Sequence, residues 1–232
     1  MDRRDTIQKA YRLTGSNSFY DGMITCSTLP GKAVCRLVWA MNKAECDAYL
    51  TAALAGIPED FAGRLLEVPV GTGVLTMPLY KTLPHADITC LDYSADMMAQ
   101  AQEKAARMQL GHVHFRQGDV GALPFADGSF DIVLSLNGFH AFPDKAAAWS
   151  ETCRVLKPGG IFCGCFYITG AHGRTDWCIR HLYEPVHFFT PPYETADSLQ
   201  KRLSDLYADV QIDHIKSIAW FVCRKAAAGD AE

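Results

Sequence analysis

The apolar positions of the chain change rhythm near residue 64. Beyond that point short, nearly continuous apolar runs alternate with stretches in which apolar residues recur every three or four positions, the periods of strand and helix. Strands are predicted at Arg64 to Pro69, Asp87 to Tyr93, Val113 to Asp119, Phe130 to Asn137 and Gly160 to Thr169, each rich in β-branched or aromatic residues and bounded by Gly, Pro or Asp. All but the third are close to continuously apolar, as strands of a parallel sheet covered on both faces should be. Helices are predicted at Thr76 to Thr82, Ser94 to Leu110 and Asp144 to Leu156. Ser94 serves as an N-cap, Gly111 as a stop, and Lys157-Pro158-Gly159-Gly160 turns the last helix into the next strand. A further helix, Thr195 to Tyr207, and two final strands, Asp209 to His214 and Ser217 to Arg224, follow. The whole predicts a doubly wound α/β fold, a mostly parallel seven-stranded sheet with an antiparallel edge pair.

Residues 1–63 lack this alternation. Asn42 followed three positions later by Glu45 predicts a capped helix running to Gly56, preceded by the apolar segment Val34 to Met41. This part is read as a helical N-terminal lead-in or cap, and residues 64–225 as the main domain. Within that domain the connection from Ala171 to Thr195 carries Trp177, Tyr183, Phe188, Phe189 and Tyr193 among Arg174, Arg180, His172, His181 and His187. A long aromatic connection at a strand end predicts a substrate cap over about residues 171–195. Residues 226–232 read as a polar tail.

Composition narrows the class. With 232 residues, 49% apolar and 21% charged, the chain has enough apolar side chains for a globular core without metals or disulfides. A net charge of −4 and no basic block argue against a nucleic-acid partner. The start, Met1 to Asp5, shows no apolar signal core, and the longest charge-free apolar stretch, Gly159 to Ala171, is too short and Gly-broken to span a bilayer, so a cytoplasmic protein without a membrane span is expected. The nine cysteines include one C-x-C pair, Cys163 and Cys165, and no C-x-x-C pair. Two sulfurs on one strand face do not close a tetrahedral site, so mostly reduced, core-packed cysteines and no metal are expected.

The chemistry is concentrated in Glu67-Val-Pro-Val-Gly-Thr-Gly73, a strand that ends in an acidic residue and runs into a Gly-x-Gly loop open to close ligand approach. Asp92 closes the second strand 21 residues after Gly71, the place from which a carboxylate binds ribose hydroxyls. Together they predict a nucleotide-like ligand. Glu67 would repel a pyrophosphate and stabilise a cation, Thr76 stands where a dinucleotide fingerprint has its third Gly, and Pro78 removes a donor from the next helix start. These features favour S-adenosylmethionine, a phosphate-free sulfonium, over a dinucleotide.

From about residue 18 to 170 the chain resembles the class I S-adenosylmethionine-dependent methyltransferases, whose fold is Rossmann-like, and among them the ubiquinone/menaquinone-biosynthesis type. The motifs are the Glu67 to Gly73 loop, Leu91-Asp-Tyr-Ser94 with Met97, Gln117-Gly-Asp119, Leu123-Pro-Phe125 through Phe130-Asp131, and Leu156-Lys-Pro-Gly-Gly160. The resemblance implies that Pro69, Gly71 and Gly73 wrap the methionine part of the cofactor, Asp92 holds the ribose, Tyr93 and Met97 flank adenine, and Asp119 with Val120 reads its edge. It also implies that Asn137 touches the methionine part and that the segment Ser18 to Met23, with Trp39 downstream, folds over the cofactor, Tyr20 being the residue of interest. Pro69 departs from the family, which has the first glycine of its loop there.

Methyl transfer from a sulfonium needs alignment of donor and acceptor and exclusion of water; a base is required only where the acceptor must lose a proton. His140, just past the fourth strand, is the candidate base, and Tyr20 the second candidate catalytic residue. The expected acceptor is a small aromatic or hydrophobic molecule, with Arg174, Arg180 or His187 available to orient an anionic or phenolic group. A nicotinamide-dependent oxidoreductase and a non-catalytic cofactor-binding protein are the alternatives. A metalloid methyltransferase is disfavoured by the scatter of the cysteines, and sequence leaves the oligomeric state open.

Overall fold

A computed structural model describes residues 17–229, with side chains from Tyr20 onward; residues 1–16 of the expected lead-in and 230–232 of the expected tail lie outside the described residues. The strands are β1 (Arg64–Glu67), β2 (Asp87–Asp92), β3 (Val113–Gln117), β4 (Phe130–Leu136), β5 (Leu156–Tyr167), β6 (Asp209–Ile215) and β7 (Ile218–Arg224). They form one sheet in the order β3-β2-β1-β4-β5-β7-β6. Pairing is parallel from β3 through β5, and β7 runs antiparallel to both β5 and β6. The doubly wound sheet with its edge hairpin is therefore the architecture present.

The helices are α1 (Asn17–Ile24), α2 (Leu29–Leu37), α3 (Lys43–Leu54), α4 (Met77–Tyr80), α5 (Ala95–Arg107), α6 (Lys145–Arg154), α7 (Gly173–Cys178) with a π turn at Ile179–Tyr183, and α8 (Ala196–Leu206). Alternation along β5 sorts the two faces: Cys163, Cys165 and Tyr167 point to one core, Phe162 and Phe166 to the other. The first core is closed by Cys46, Tyr49 and Ala53 of α3 and by Ala101 and Ala105 of α5. The second is closed by Trp149 of α6 and by Leu199 and Leu203 of α8, packed on Phe162, Phe166 and Phe221. Each of these fully buried large side chains contributes about 1.5–3 kcal/mol by leaving water.

Local differences from the sequence reading have local causes. The lead-in holds three helices, and α2 replaces the expected segment from Val34 to Met41; it starts earlier because Thr28 caps it and Pro30 sits in its first turn. Helix α4 is a single turn, with Pro78 in its first two positions. Strand β1 stops at Glu67, two residues before Pro69, which has no N–H to offer a ladder. Asn42 and Thr195 cap α3 and α8 as expected, each in a reciprocal capping box.

Candidate active site

The carboxyl ends of β1, β2 and β4 open into a cleft of about 1130 Å³, its solvent-facing mouth included. Gly71 and Gly73 adopt φ of +55° and +68°, which carries the loop back across the end of the sheet. No atom lies within 4 Å of where a Cβ on Gly71 would stand, so the loop borders open space. Asp92, at the end of β2, fastens this loop: its Oδ2 accepts from the Gly71 N–H at 2.7 Å and its Oδ1 from the Ser94 N–H at 2.8 Å. Both oxygens keep capacity for a further donor. Burial pushes the Asp92 carboxyl up to about 6 against these stabilising backbone donors.

Glu67 is 1% exposed, and its Oε2 accepts from the Tyr80 hydroxyl at 2.8 Å and the Cys90 thiol at 3.5 Å. Burial pushes it up to about 8, so at neutral pH it holds a proton unless a cation comes near. All eleven residues expected at the cofactor line this one cleft: Tyr20, Glu67, Pro69, Gly71, Gly73, Asp92, Tyr93, Met97, Asp119, Val120 and Asn137. Asp119 also caps the short turn that follows, accepting from the Gly121 N–H at 2.9 Å.

Sequence reasoning missed Gly138. A Cβ there would stand 2.4 Å from Pro69 Cδ and 2.7 Å from Phe142 Cζ, so only glycine lets the β4 loop pass the β1 loop. Its available signal was the Asn-Gly pair after an apolar strand. Asn137 itself takes φ +54°, a conformation Asn tolerates better than most residues.

Behind the cleft lies a second cavity of about 1050 Å³, its opening to solvent included, walled by Trp39, Tyr49, Tyr183, Phe188 and Phe189 together with His140. It shares Tyr20, Ile24 and Asn137 with the first, so the two spaces meet at those three residues. Helix α1 is held over the junction by Asp21, which accepts from the Thr72 hydroxyl at 2.6 Å and pairs with Lys104 at 3.0 Å. The burial of Tyr20 and the nearby Asp92 and Asp21 raise its phenol well above the usual range, so it remains a neutral hydroxyl.

His140 is 7% exposed, stacks on Phe189 with ring centroids 4.1 Å apart, and turns Nδ1 toward the Tyr167 N–H at 3.5 Å. Burial and the Lys145 charge lower it to about 3. An imidazole that weakly basic is a poor proton acceptor, which counts against the expected role as base, and with Nδ1 facing a donor its Nε2–H is left to donate. The aromatic connection contributes Tyr183, Phe188 and Phe189 to the cavity and contacts the lead-in, Thr175 donating to the Val38 carbonyl at 2.7 Å. Arg174, Arg180 and His187, expected as acceptor-orienting groups, are exposed outside it, and Trp177 is 55% exposed. Their polar heads gain more from water than an apolar cavity offers.

The cysteines differ from expectation at one point. Cys163 and Cys165 are fully buried on one strand face, whereas Cys26 and Cys35, whose spacing carries no signature, are joined in a disulfide. Cys46 Sγ lies 3.3 Å from Cys26 Sγ. Lead-in residues supply this corner of the second cavity, and none of these three cysteines was singled out from sequence.

The strand order, the Gly-x-Gly loop after an acidic strand end and the acidic second strand end are together those of the Rossmann-like fold used by class I methyltransferases. Residues 65–160 match the family model described as a methyltransferase domain. Over 97 residues it is 41% identical to the demethylmenaquinone methyltransferase of Thermus thermophilus, a match covering 42% of this chain and 44% of that protein. The matched stretch thus spans less than half of that relative. Among solved structures, the cyclase SpnF superimposes with a TM-score of 0.65 at 19% identity, covering 80% of this chain and 83% of that one. Phosphoethanolamine N-methyltransferase 2 of Haemonchus contortus, in complex with S-adenosyl-L-methionine, superimposes with a TM-score of 0.64 at 16% identity, covering 91% of this chain and 61% of that one. Among the described residues no helix is long and apolar enough to cross a membrane.

Proposed function

We propose that the protein is an S-adenosylmethionine-dependent methyltransferase acting on a small hydrophobic aromatic acceptor. The observation that carries this reading is the meeting of two cavities at Tyr20, Ile24 and Asn137, one rimmed by carboxyls and a glycine loop, the other aromatic. The residues of the first fit the cofactor: a buried carboxyl that a cation would ionise, Glu67; an acceptor at the end of β2, Asp92; and a loop with open space beside Gly71. When bound, the cofactor supplies an activated methyl group that needs no further electrophilic assistance.

The chain's own residues then have defined tasks. Glu67 answers the ammonium charge, Asp92 accepts from the ribose hydroxyls, Tyr93 and Met97 offer apolar faces to the base, and Asp119 with the Val120 backbone reads its edge. Tyr20 and Asn137 form the passage between donor and acceptor. The aromatic wall excludes water from the displacement, and His140 donates through Nε2–H to an acceptor oxygen, fixing its orientation. The curated relative's acceptor, a demethylated quinone, fits the chemistry of such a cavity, and an aromatic ring bearing oxygens is the acceptor class inferred.

A second reading is favoured by one finding: a structural neighbour is described as a cyclase, so this fold also serves chemistry other than methyl transfer. The test is transfer of label from methyl-labelled S-adenosylmethionine to a panel of hydroxylated naphthalenes and benzenes, beside calorimetry with S-adenosylhomocysteine and NAD. Labelled product with selective binding of the sulfur compound is expected. NAD binding the more tightly would overturn the cofactor assignment, and binding without label transfer to any acceptor would favour the second reading.

A further inference from the structure

The second cavity has a corner that methyl transfer does not use. Cys26 lies in the turn after α1, Cys35 in α2 and Cys46 in α3, all three buried, and their sulfurs lie within 4.8 Å of one another. Among the described residues they are the one group of three or more Cys, His, Asp or Glu side chains whose ligand atoms converge in this way. All three line the second cavity. Thiolates on a shared soft ion at bonds of about 2.3 Å stand about 3.5–3.8 Å apart, and Cys26 and Cys46 are already at 3.3 Å. Opening the Cys26–Cys35 disulfide frees those two sulfurs to take up this spacing.

We propose that the reduced side chains of Cys26, Cys35 and Cys46 form a three-thiolate site for a soft trivalent ion of the arsenite class. Coordination number and charge select the ion. Among the described residues no fourth Cys, His, Asp or Glu joins the cluster, so a tetrahedral zinc site lacks its last protein ligand. The surroundings include Met23, Val34, Trp39, Met41 and Ile218. A divalent ion on three thiolates would leave a net negative charge in this apolar corner, whereas a trivalent ion leaves none. A pyramidal three-coordinate ion also needs only the three sulfurs.

The chemistry balances without a redox change at the ion. A phosphine reductant and one water convert the disulfide to two thiols and a phosphine oxide. Three thiols then condense with As(OH)₃ to give an As(SR)₃ centre and three waters. The oxidised chain has two of its three sulfurs bonded to each other, so reduction gates the site. Occupancy ties α1, α2 and α3 together beside Tyr20 and needs no methyl donor, so this proposal stands or falls separately from the proposed activity.

The test uses the full chain, reduced with a phosphine, incubated with arsenite and desalted, with arsenic measured per chain by atomic spectrometry and Trp fluorescence reporting on Trp39. One arsenic per chain is expected in the reduced protein and none in the disulfide form. Cys46→Ser should lose arsenic retention while still forming the Cys26–Cys35 disulfide, which shows that it folds. Equal retention by Cys46→Ser or by the oxidised protein overturns the proposal. So does failure of the reduced protein, still native by circular dichroism, to retain arsenic, or retention of one zinc that arsenite does not displace.

Discussion

Asp92→Asn separates the site's chemistry from its architecture. The substitution preserves shape and one carbonyl oxygen but removes the charge. In the folded chain the carboxyl titrates near 6, against about 3.9 when unfolded, because burial costs more than its backbone donors return. The sign follows: this group favours folding at pH below its unfolded value, and that contribution is lost as pH rises through about 6. At pH 7 the buried charge therefore costs on the order of 2–3 kcal/mol relative to a neutral side chain. Part of this relief is offset in the variant, whose amide can face only one of the Gly71 and Ser94 N–H groups with its oxygen. The unliganded variant should melt at or above the wild-type temperature. Its affinity for S-adenosylhomocysteine should fall by about 1.5–3 kcal/mol, the range for hydrogen bonds to a charged group, or roughly 10- to 150-fold. Wild-type affinity should also weaken more steeply below pH 6 as the Asp92 carboxyl takes up its proton, and this added step should vanish in the variant, leaving only the slope linked to Glu67. Calorimetry between pH 5 and 8 with parallel melts reads all three quantities. A variant that melts lower and binds normally would make Asp92 a loop fastener alone and refute the reasoning.

Glu67, near 8 when no cation is present, should release close to one proton when S-adenosylmethionine binds at pH 7, read from calorimetry in buffers of different ionisation enthalpy; an unchanged proton count in Glu67→Gln would exclude it as the source. His140, lowered to about 3, predicts an activity profile with no break near pH 6.5 and a stability contribution that is complete above its unfolded value of about 6.5 and lost as pH falls toward 3, at up to about 1.4 kcal/mol per pH unit. Urea titrations of wild type and His140→Gln check this, and equal slopes would sink it. Gly138→Ala should cost about 1–3 kcal/mol of stability through the contacts its Cβ makes with Pro69 and Phe142, and a full-stability variant would show that the two loops separate easily.

The first cavity was legible from strand ends, whereas for the second the sequence supplied most of the wall residues, Trp39, His140, Tyr183, Phe188 and Phe189, and not how they meet, for a reason of chain geometry. Most residues lining the first cavity sit at the ends of β1 and β2 or on the short loops after β1, β2, β3 and β4, and all of these strands but β3 read as nearly continuous apolar runs that fix their place in the sheet. Glu67, Asp92 and Asn137 could thus be positioned from strand ends alone. The acceptor-side wall is assembled from segments far apart in the chain: Thr175 bonds Val38 across 137 residues, and Phe189 stacks on His140. No local period encodes such a meeting. The same limit hid the three sulfurs, since Cys26, Cys35 and Cys46 carry no spacing signature and converge only because α1, α2 and α3 fold against one another. The weak basicity of His140 is not legible in sequence because its burial is set by Phe189 and Tyr167, neither of which is its neighbour in sequence.

The lead-in lines both cavities through Tyr20 and Ile24, and Asp21 is where that coupling can be broken. Its carboxylate is only 17% exposed, and it holds Thr72 of the cofactor loop and Lys104 of α5 at once. A hydrogen bond to a charged group is worth about 1.5–3 kcal/mol, and an ion pair even at an exposed position up to about 1 kcal/mol. Asp21→Ala should therefore lower the free energy of local opening of Asn17–Ile24 by about 2–4 kcal/mol, read as faster hydrogen exchange of its amides. Most cofactor-side residues sit on the sheet loops and not on α1, so affinity for S-adenosylhomocysteine should fall less than the exchange protection does. Tyr20, adjacent to Asp21, would lose its fixed place between the cavities, and turnover should drop further than cofactor affinity. Unchanged exchange in Asp21→Ala would mean that packing alone seats the helix. Cofactor affinity falling in step with protection would mean that α1 belongs to the cofactor site and does not serve as the hinge between the two.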